Sequence, residues 1–164
     1  MTTGLSSALA DGLARGEFEA TLLPGTETPR SEVLGRLRLA WFGEAPLDSG
    51  GSLPMAFDSG RSALSTRIMD TLAERKVAWH SVPWCSDPLS IRASVQAGLA
   101  YTALPANTHH NHLSLRPTPT GLLGPPPAPL LVHLAFSATA RKPVLEAARA
   151  VARATLRALP VLPL

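Results

Sequence analysis

Apolar and polar positions change period several times along the chain, and each period names an element. Leu5, Ala8, Leu9 and Leu13 recur at helical spacing, so residues 6–15 read as an amphipathic helix that Gly16 can end in a left-handed cap. Phe18, Ala20 and Leu22 then alternate with Glu19, Thr21 and Leu23, as in a strand, and Pro24-Gly25 turns the chain. Residues 26–35 are polar and read as loop. Leu37, Leu39 and Trp41 alternate with Arg36 and Arg38, which predicts a strand with one wet face. Residues 43–52 are rich in Gly, Pro and Ser and read as the passage from one lobe to the next.

Residues 53–57 form a short apolar strand, and Asp58-Ser59-Gly60 suits the helix N-terminus that follows. Leu64, Ile68 and Leu72 mark the buried stripe of a helix over 61–75, and 77–82 is again a strand. Ser86-Asp87-Pro88 is a second helix start, with proline where its missing N–H costs nothing. That helix carries Leu89, Ile91 and Val95 and ends at Gly98; a strand over 99–104 stops at Pro105. A polar loop over 106–112 and a short strand over 113–115 precede the Pro/Gly-rich segment 117–129, which cannot be regular. The apolar run 130–136 is the pattern of a strand buried on both faces. Pro143 opens a last helix with Val144, Ala148, Val151 and Thr155 on one stripe and Leu145, Ala152, Leu156 and Leu159 beside it. Strands alternating with helices predict the α/β class with largely parallel sheets, where ligands sit beyond the carboxyl ends of strands.

Composition narrows the function classes. At 164 residues, 45% hydrophobic and 16% charged, the chain can bury a real core. Its +3 charge is spread over scattered arginines without a basic run, which argues against direct DNA binding. No apolar stretch is long enough for a membrane span, and no signal peptide is evident. The single Cys85 fits a reducing, cytoplasmic setting.

Enzyme chemistry finds little support. His109-His110-Asn111-His112 lacks the Cys or acidic companions of a metal site and reads as a solvated loop. Gly60-Arg61-Ser62-Ala63-Leu64 approaches the hydrolase nucleophile elbow, but bulky Leu64 stands where the final glycine belongs. No phosphate-binding or dinucleotide fingerprint is present, so no cofactor and no metal is expected. Trp41, Trp79 and Trp84 lie on or beside strands and read as core.

The order of several segments carries a resemblance. Gly16-Glu17-Phe18-Glu19-Ala20-Thr21-Leu22 looks like a G-E-L-D-L-A-L motif, followed by Arg38-Leu39-Ala40-Trp41-Phe42 and Leu53-Pro54-Met55-Ala56-Phe57-Asp58. Lys76-Val77-Ala78-Trp79-His80 is similar to a G-x-P-W-R strand start. The run from Ser86-Asp87-Pro88-Leu89 through Ala97-Gly98-Leu99-Ala100 to Leu104-Pro105 resembles S-x-S-L-x-x-L-x-A-V-A-A-G-L-G-V-T-x-L-P. Together these resemble the effector-binding domain of LysR-type bacterial transcriptional regulators. Glu19 and Ala100 depart from the pattern without removing strand or turn. The helix-turn-helix and the first strand-helix-strand of the effector domain have no counterpart.

The resemblance implies a two-lobed, periplasmic-binding-protein-like (type 2) α/β domain with an incomplete first lobe. Residues 1–42 and 113–164 would form that lobe, and 43–112 the second. It implies a small-molecule effector, with a carboxylate as candidate anchor, bound in a cleft between lobes. The contacts it implies are Ser6, Ser7, Pro24 and Thr26 from the first lobe, and Ser59, Gly60, Ser86, Asp87, Pro88, Leu89 and Thr102 from the second. Helix N-termini offer free N–H groups and partial positive charge at two of these places. Homo-oligomers, or pairing with related regulator chains, are the expected assemblies. A module that pairs with full-length regulators without ligand, a solute-binding protein, and a hydrolase are the rival readings.

Overall fold

The computed structural model describes residues 6–58, 62–83, 85, 87–106, 115, 118, 121–157 and 161–162. They gather in two compact units, Met1–Arg38 with Pro129–Leu164, and Leu39–Ala128.

The first unit is built on a sheet of order β1-β7-β2-β8. Helix α1 (Ser6–Ala14) leads to β1 (Ala20–Pro24), and β2 (Ser31–Leu37) follows. The central strand β7 (Leu130–Phe136), helix α4 (Lys142–Arg157) and β8 (Val161–Leu162) complete it. Leu13 of α1 packs on Leu23 of β1 and Ala135 of β7, with Leu9, Ala10 and Phe18 closing the cluster. The apolar run predicted as a strand buried on both faces is that strand: Leu130, Val132, Leu134 and Ala135 are buried, and Leu131 is exposed.

Three expectations change here. Residues 26–35 are not all loop, because Ser31–Leu37 is a strand with a bulge between Val33 and Gly35. The β7 backbone needs a partner on that side, and its ladder overrides a polar local sequence. Second, the strand expected through Leu37, Leu39 and Trp41 breaks at Arg38; β2 ends at Leu37, and β3 (Leu39–Phe42) pairs in another sheet. Third, this sheet is antiparallel throughout, since β7 runs against both β1 and β2, and β8 against β2. In α4 the buried positions are Ala152 and Leu156, while Val151 is 64% exposed. The helix therefore faces inward about a quarter-turn from the stripe of Val144, Ala148, Val151 and Thr155.

The second unit holds β3, β4 (Leu53–Met55), α2 (Ala63–Glu74), β5 (Trp79–Ser81), α3 (Pro88–Gln96) and β6 (Thr102–Pro105). Strands β4 and β5 pair in parallel, and Met55 makes a further parallel bridge to Tyr101. β3 and β6 pair antiparallel, with Pro105 inside the pairing opposite Leu39 rather than outside it. That position needs no N–H from Pro105 when it lies at the strand's end. The core joins Trp41, Leu53, Met55, Ile68, Leu72 and Tyr101, and Phe57 packs edge-on against Trp79 at 5.3 Å. The irregular segment before β7 is tied down by Arg75, which donates to the Leu123 and Pro125 carbonyls, and by Trp41 Nε1, which donates to Pro125.

Candidate functional site

Both helices of the second unit begin beyond the same ends of parallel strands. β4 runs into Asp58 and then α2; β5 runs through Val82 into α3. Because β4 and β5 are parallel neighbours, both helix starts lie at the carboxyl edge of the pair. This is the place where α/β sheets receive ligands.

The two starts differ in chemistry. At α3, Asp87 is the N-cap: its Oδ1 accepts from Leu89 N–H at 2.8 Å and Ser90 N–H at 3.1 Å. Asp87 N–H in turn donates to Ser90 Oγ at 3.2 Å, which closes a capping box. Pro88 has no N–H to give, and Ile91 N–H already donates to Asp87 O. No first-turn amide is left for an anion. The hydrogen bonds from Ser90, then those from the Ser90 and Leu89 amides, hold the Asp87 carboxyl below its usual range. Beside this exposed anion Leu89 is 73% exposed, off the buried face that Ile91, Ser94 and Val95 make. The α3 start thus presents a negative charge next to an apolar side chain.

At α2 the cap is Ser62, not the expected Asp58-Ser59-Gly60. Ser62 Oγ accepts from Ser65 N–H at 3.1 Å, and Ser65 Oγ donates to Asp58 Oδ1 at 2.7 Å. The carboxylate is thereby fixed to the first turn by a hydroxyl. The Ala63 and Leu64 amides have no acceptor among the described residues. Among the described residues the α2 start therefore keeps two open donors, with the Asp58 carboxylate held beside them.

The remaining expected contacts are placed as follows. Asp87, Pro88 and Leu89 come together at the α3 start. Ser59, Gly60 and Ser86 lie outside the described residues, as do Arg61, Trp84 and the histidines of 109–112. Thr102 is buried on β6 opposite Phe42. Ser6 and Ser7 open α1, Pro24 ends β1, and Thr26 follows half-buried. A cavity of about 320 Å³ in the first unit contains none of them; Arg30, Ser31, Glu32, Phe136, Ser137 and Arg149 line it. There Arg149 pairs with Glu32 at 2.9 Å and stacks 5.5 Å over Phe136.

One constellation had no signal in the sequence. Asp48, Ser52 and His80 meet at the surface, where Ser52 Oγ lies 3.0 Å and Asp48 Oδ2 3.4 Å from His80 Nδ1. A serine–histidine–acid relay needs the two oxygens on opposite ring nitrogens. Here both approach the same one, so this trio cannot pass a proton from serine to acid. Ser62, the serine of the near-elbow, bonds Ser65 rather than any histidine. Among the described residues no group of three or more His, Cys, Asp or Glu could hold a metal. No helix among them is long and apolar enough to cross a membrane.

No family model and no curated protein sequence matches the chain. Solved structures do. The regulatory domain of CcmR from Synechocystis PCC6803, in complex with 2-PG, aligns at a TM-score of 0.68 and 11% identity, over 90% of this chain and 79% of that one. The effector-binding domain of QuiR in complex with shikimate aligns at 0.64 and 15% identity, over 89% and 75%. CbnR, a LysR family transcriptional regulator, aligns at 0.61 and 13% identity, over 90% of this chain and 57% of that one. The chain has the fold of a LysR-type effector-binding domain. That is a periplasmic-binding-protein-like fold of the second type. Against the full-length CbnR this LysR-type effector-domain fold spans a little over half the length.

Proposed function

We propose that the chain is the effector-sensing domain of a LysR-type transcriptional regulator. It works in the cytoplasm, binds a small molecule, performs no catalysis and makes no DNA contact of its own. The expected lobes, 1–42 with 113–164 and 43–112, belong to this proposal, as do the contacts Ser6, Ser7, Pro24, Thr26, Ser59, Gly60, Ser86 and Thr102. The observation that carries it is the pair of helix starts at one carboxyl edge of β4 and β5. It is supported by a fold that, in QuiR and CcmR, is seen with shikimate and 2-PG.

The two starts also describe the effector. The α2 amides suit an acceptor-bearing end, a carboxylate or phosphate only where it stays clear of the Asp58 carboxylate that Ser65 holds at the same turn. The Asp87 anion and the exposed Leu89 suit a hydroxyl- or amine-bearing part with an apolar edge. A plain dianion would meet Asp87 repulsively.

Thermal unfolding with shikimate, 2-PG, benzoate and a panel of hydroxy and amino acids tests this. A ligand at 100 times its Kd adds about 2.7 kcal/mol, which raises the midpoint by several degrees. If no member of the panel shifts the midpoint at millimolar concentration, the sensing role fails.

A further inference from the structure

The cavity of about 320 Å³ is formed wholly within the first unit, by residues at the start of β2, the end of β7 and the entry into α4. Glu32 of β2 stands opposite Leu134 of β7, so it shares a sheet face with Leu134 and Phe136. Arg149 reaches this face from α4. Its Nε donates to Glu32 Oε1 at 3.0 Å and its Nη2 to Oε2 at 2.9 Å, while the guanidinium lies 5.5 Å over the Phe136 ring. A carboxylate fork on one edge and a ring beneath fix the orientation of the guanidinium. Its Nη1 has no acceptor among the described residues. Arg30 lines the same cavity. Its Nη1 donates to Ala138 O at 2.9 Å, and its Nε and Nη2 have no acceptor among the described residues.

The charges around the cavity do not cancel. Its lining carries two guanidinium groups and one carboxylate. Glu32 is matched by Arg149, and Arg30 has no ion pair among the described residues. Two further acids lie outside the lining. Glu19 is held by Arg141 at 3.1 Å, and Glu146, one turn back on α4, acts on Arg149 more weakly than Glu32 does. One positive charge with free donors suits one carboxylate, and a dianion would exceed it. The Ser31 hydroxyl is already spent, since it donates to Thr28 O and accepts from Thr28 N–H. The guanidinium groups are therefore the available donors.

The rest of the wall is apolar. Ala140 and Leu145 line it and are half-buried. One face of Phe136 is already covered by Arg149, so the surface left to a ligand is mainly aliphatic. The volume is at the lower end of the ~300–1,000 Å³ found for ligand pockets, which limits the occupant to a small molecule. We infer that this cavity is a ligand site for a small aliphatic monocarboxylate, its carboxylate held between Arg30 and Arg149 and its hydrocarbon part against Ala140 and Leu145. The site uses none of the residues at the α2 and α3 starts and does not rest on the effector reading.

Nitrogen–proton correlation spectra of the full chain, titrated with isovalerate, isovaleramide and inorganic phosphate, test this. Isovalerate should shift the Ala140 and Leu145 amides and the Arg149 Nε–H signal saturably, with a midpoint in the millimolar range. Isovaleramide has the same shape without the charge and should bind about tenfold more weakly. Arg30→Ala, at an exposed position, should weaken isovalerate by about tenfold. Glu32→Gln keeps an acceptor for Arg149 but removes the competing charge, so it should tighten isovalerate several-fold. A merely structural role for Glu32 would not produce that gain. Shifts that do not saturate at tens of millimolar overturn the assignment, as does an Arg30→Ala protein that binds as well as wild type. Phosphate that reproduces the isovalerate shifts at equal concentration also overturns it, because the arginines then attract any anion. Isovalerate shifts confined to the α2 and α3 starts would belong to the effector reading and would sink this one.

Discussion

Asp87 and Ser90 hold each other at both ends of one turn: Ser90 N–H donates to Asp87 Oδ1 at 3.1 Å, and Asp87 N–H donates to Ser90 Oγ at 3.2 Å. The cap works best with the carboxylate ionised, and its hydrogen bonds lower the Asp87 pKa in the folded chain. A depressed folded pKa contributes stability that is complete above the unfolded value, about pH 4, and is lost as pH falls through the folded value. Exchange at the Leu89 and Ser90 amides should therefore stay flat from neutral down to about pH 4, after correction for intrinsic rates, and accelerate below it. Asp87→Asn, which caps without titrating, should remove that acid step. Identical acid profiles in the two proteins would contradict the assignment.

Ser65 is buried; its N–H donates to Ser62 Oγ and its hydroxyl donates to Asp58 Oδ1. Ser65→Ala deletes the donor that satisfies Asp58 and should cost about 1–2 kcal/mol in denaturant unfolding. Ser62→Ala removes the α2 cap itself, at about 1 kcal/mol. The two residues share one network, so the double variant should cost less than the sum. Strict additivity would show that they act separately.

Gly43 sits at φ +119, and a side chain there would run into the Ala100 backbone carbonyl. Its own carbonyl accepts from Thr118 Oγ1 at 2.6 Å. Gly43→Ala combines a disallowed conformation with a backbone clash, and should destabilise by roughly 2–4 kcal/mol. Gly16, also left-handed at φ +75, has open space around it, so Gly16→Ala should cost only about 1 kcal/mol. Equal losses in urea titrations would refute the role given to the Ala100 contact.

What could be read from the sequence, and what could not, divides along physical lines. The α3 start was legible because capping is local: Asp87 and Pro88 encode it within three residues. The run 130–136 was legible because burial on both faces writes itself as continuous apolarity. Strand β2 was not, since Ser31 and Glu32 gain their extended form from β7, a hundred residues away in the chain. Strand direction was equally hidden, because alternation gives the period of a strand and never its partner. The α2 start was placed two to four residues early, over Asp58-Ser59-Gly60, as Asp58, Ser59 and Ser62 are all competent caps and the hydrogen bonds of Ser65 to Asp58 favour Ser62. At the candidate site, the residue types at the α3 start were readable. That Asp87 uses up the amides an anion would need was not, because it depends on where one carboxylate oxygen points.

That last point has a consequence for effector choice. Asp87 remains anionic at neutral pH beside an exposed Leu89, whereas the amides of Ala63 and Leu64 at α2 have no acceptor among the described residues. Wild-type protein should therefore favour ligands with one anionic end and a hydroxyl or amine elsewhere, and discriminate against dicarboxylates of the same length. Asp87→Asn keeps a capping side chain but removes the charge, so the discrimination should shrink. A charge–charge contact at a solvent-facing site is screened, so the change in relative Kd should be modest, roughly fivefold. Leu89→Ala should weaken both ligand classes alike, because it removes apolar contact without altering charge. Titration calorimetry of a matched hydroxy-acid and diacid pair against the three proteins separates these effects. If Asp87→Asn weakens the diacid as much as the hydroxy acid, the α3 start is a structural cap and the effector is read elsewhere.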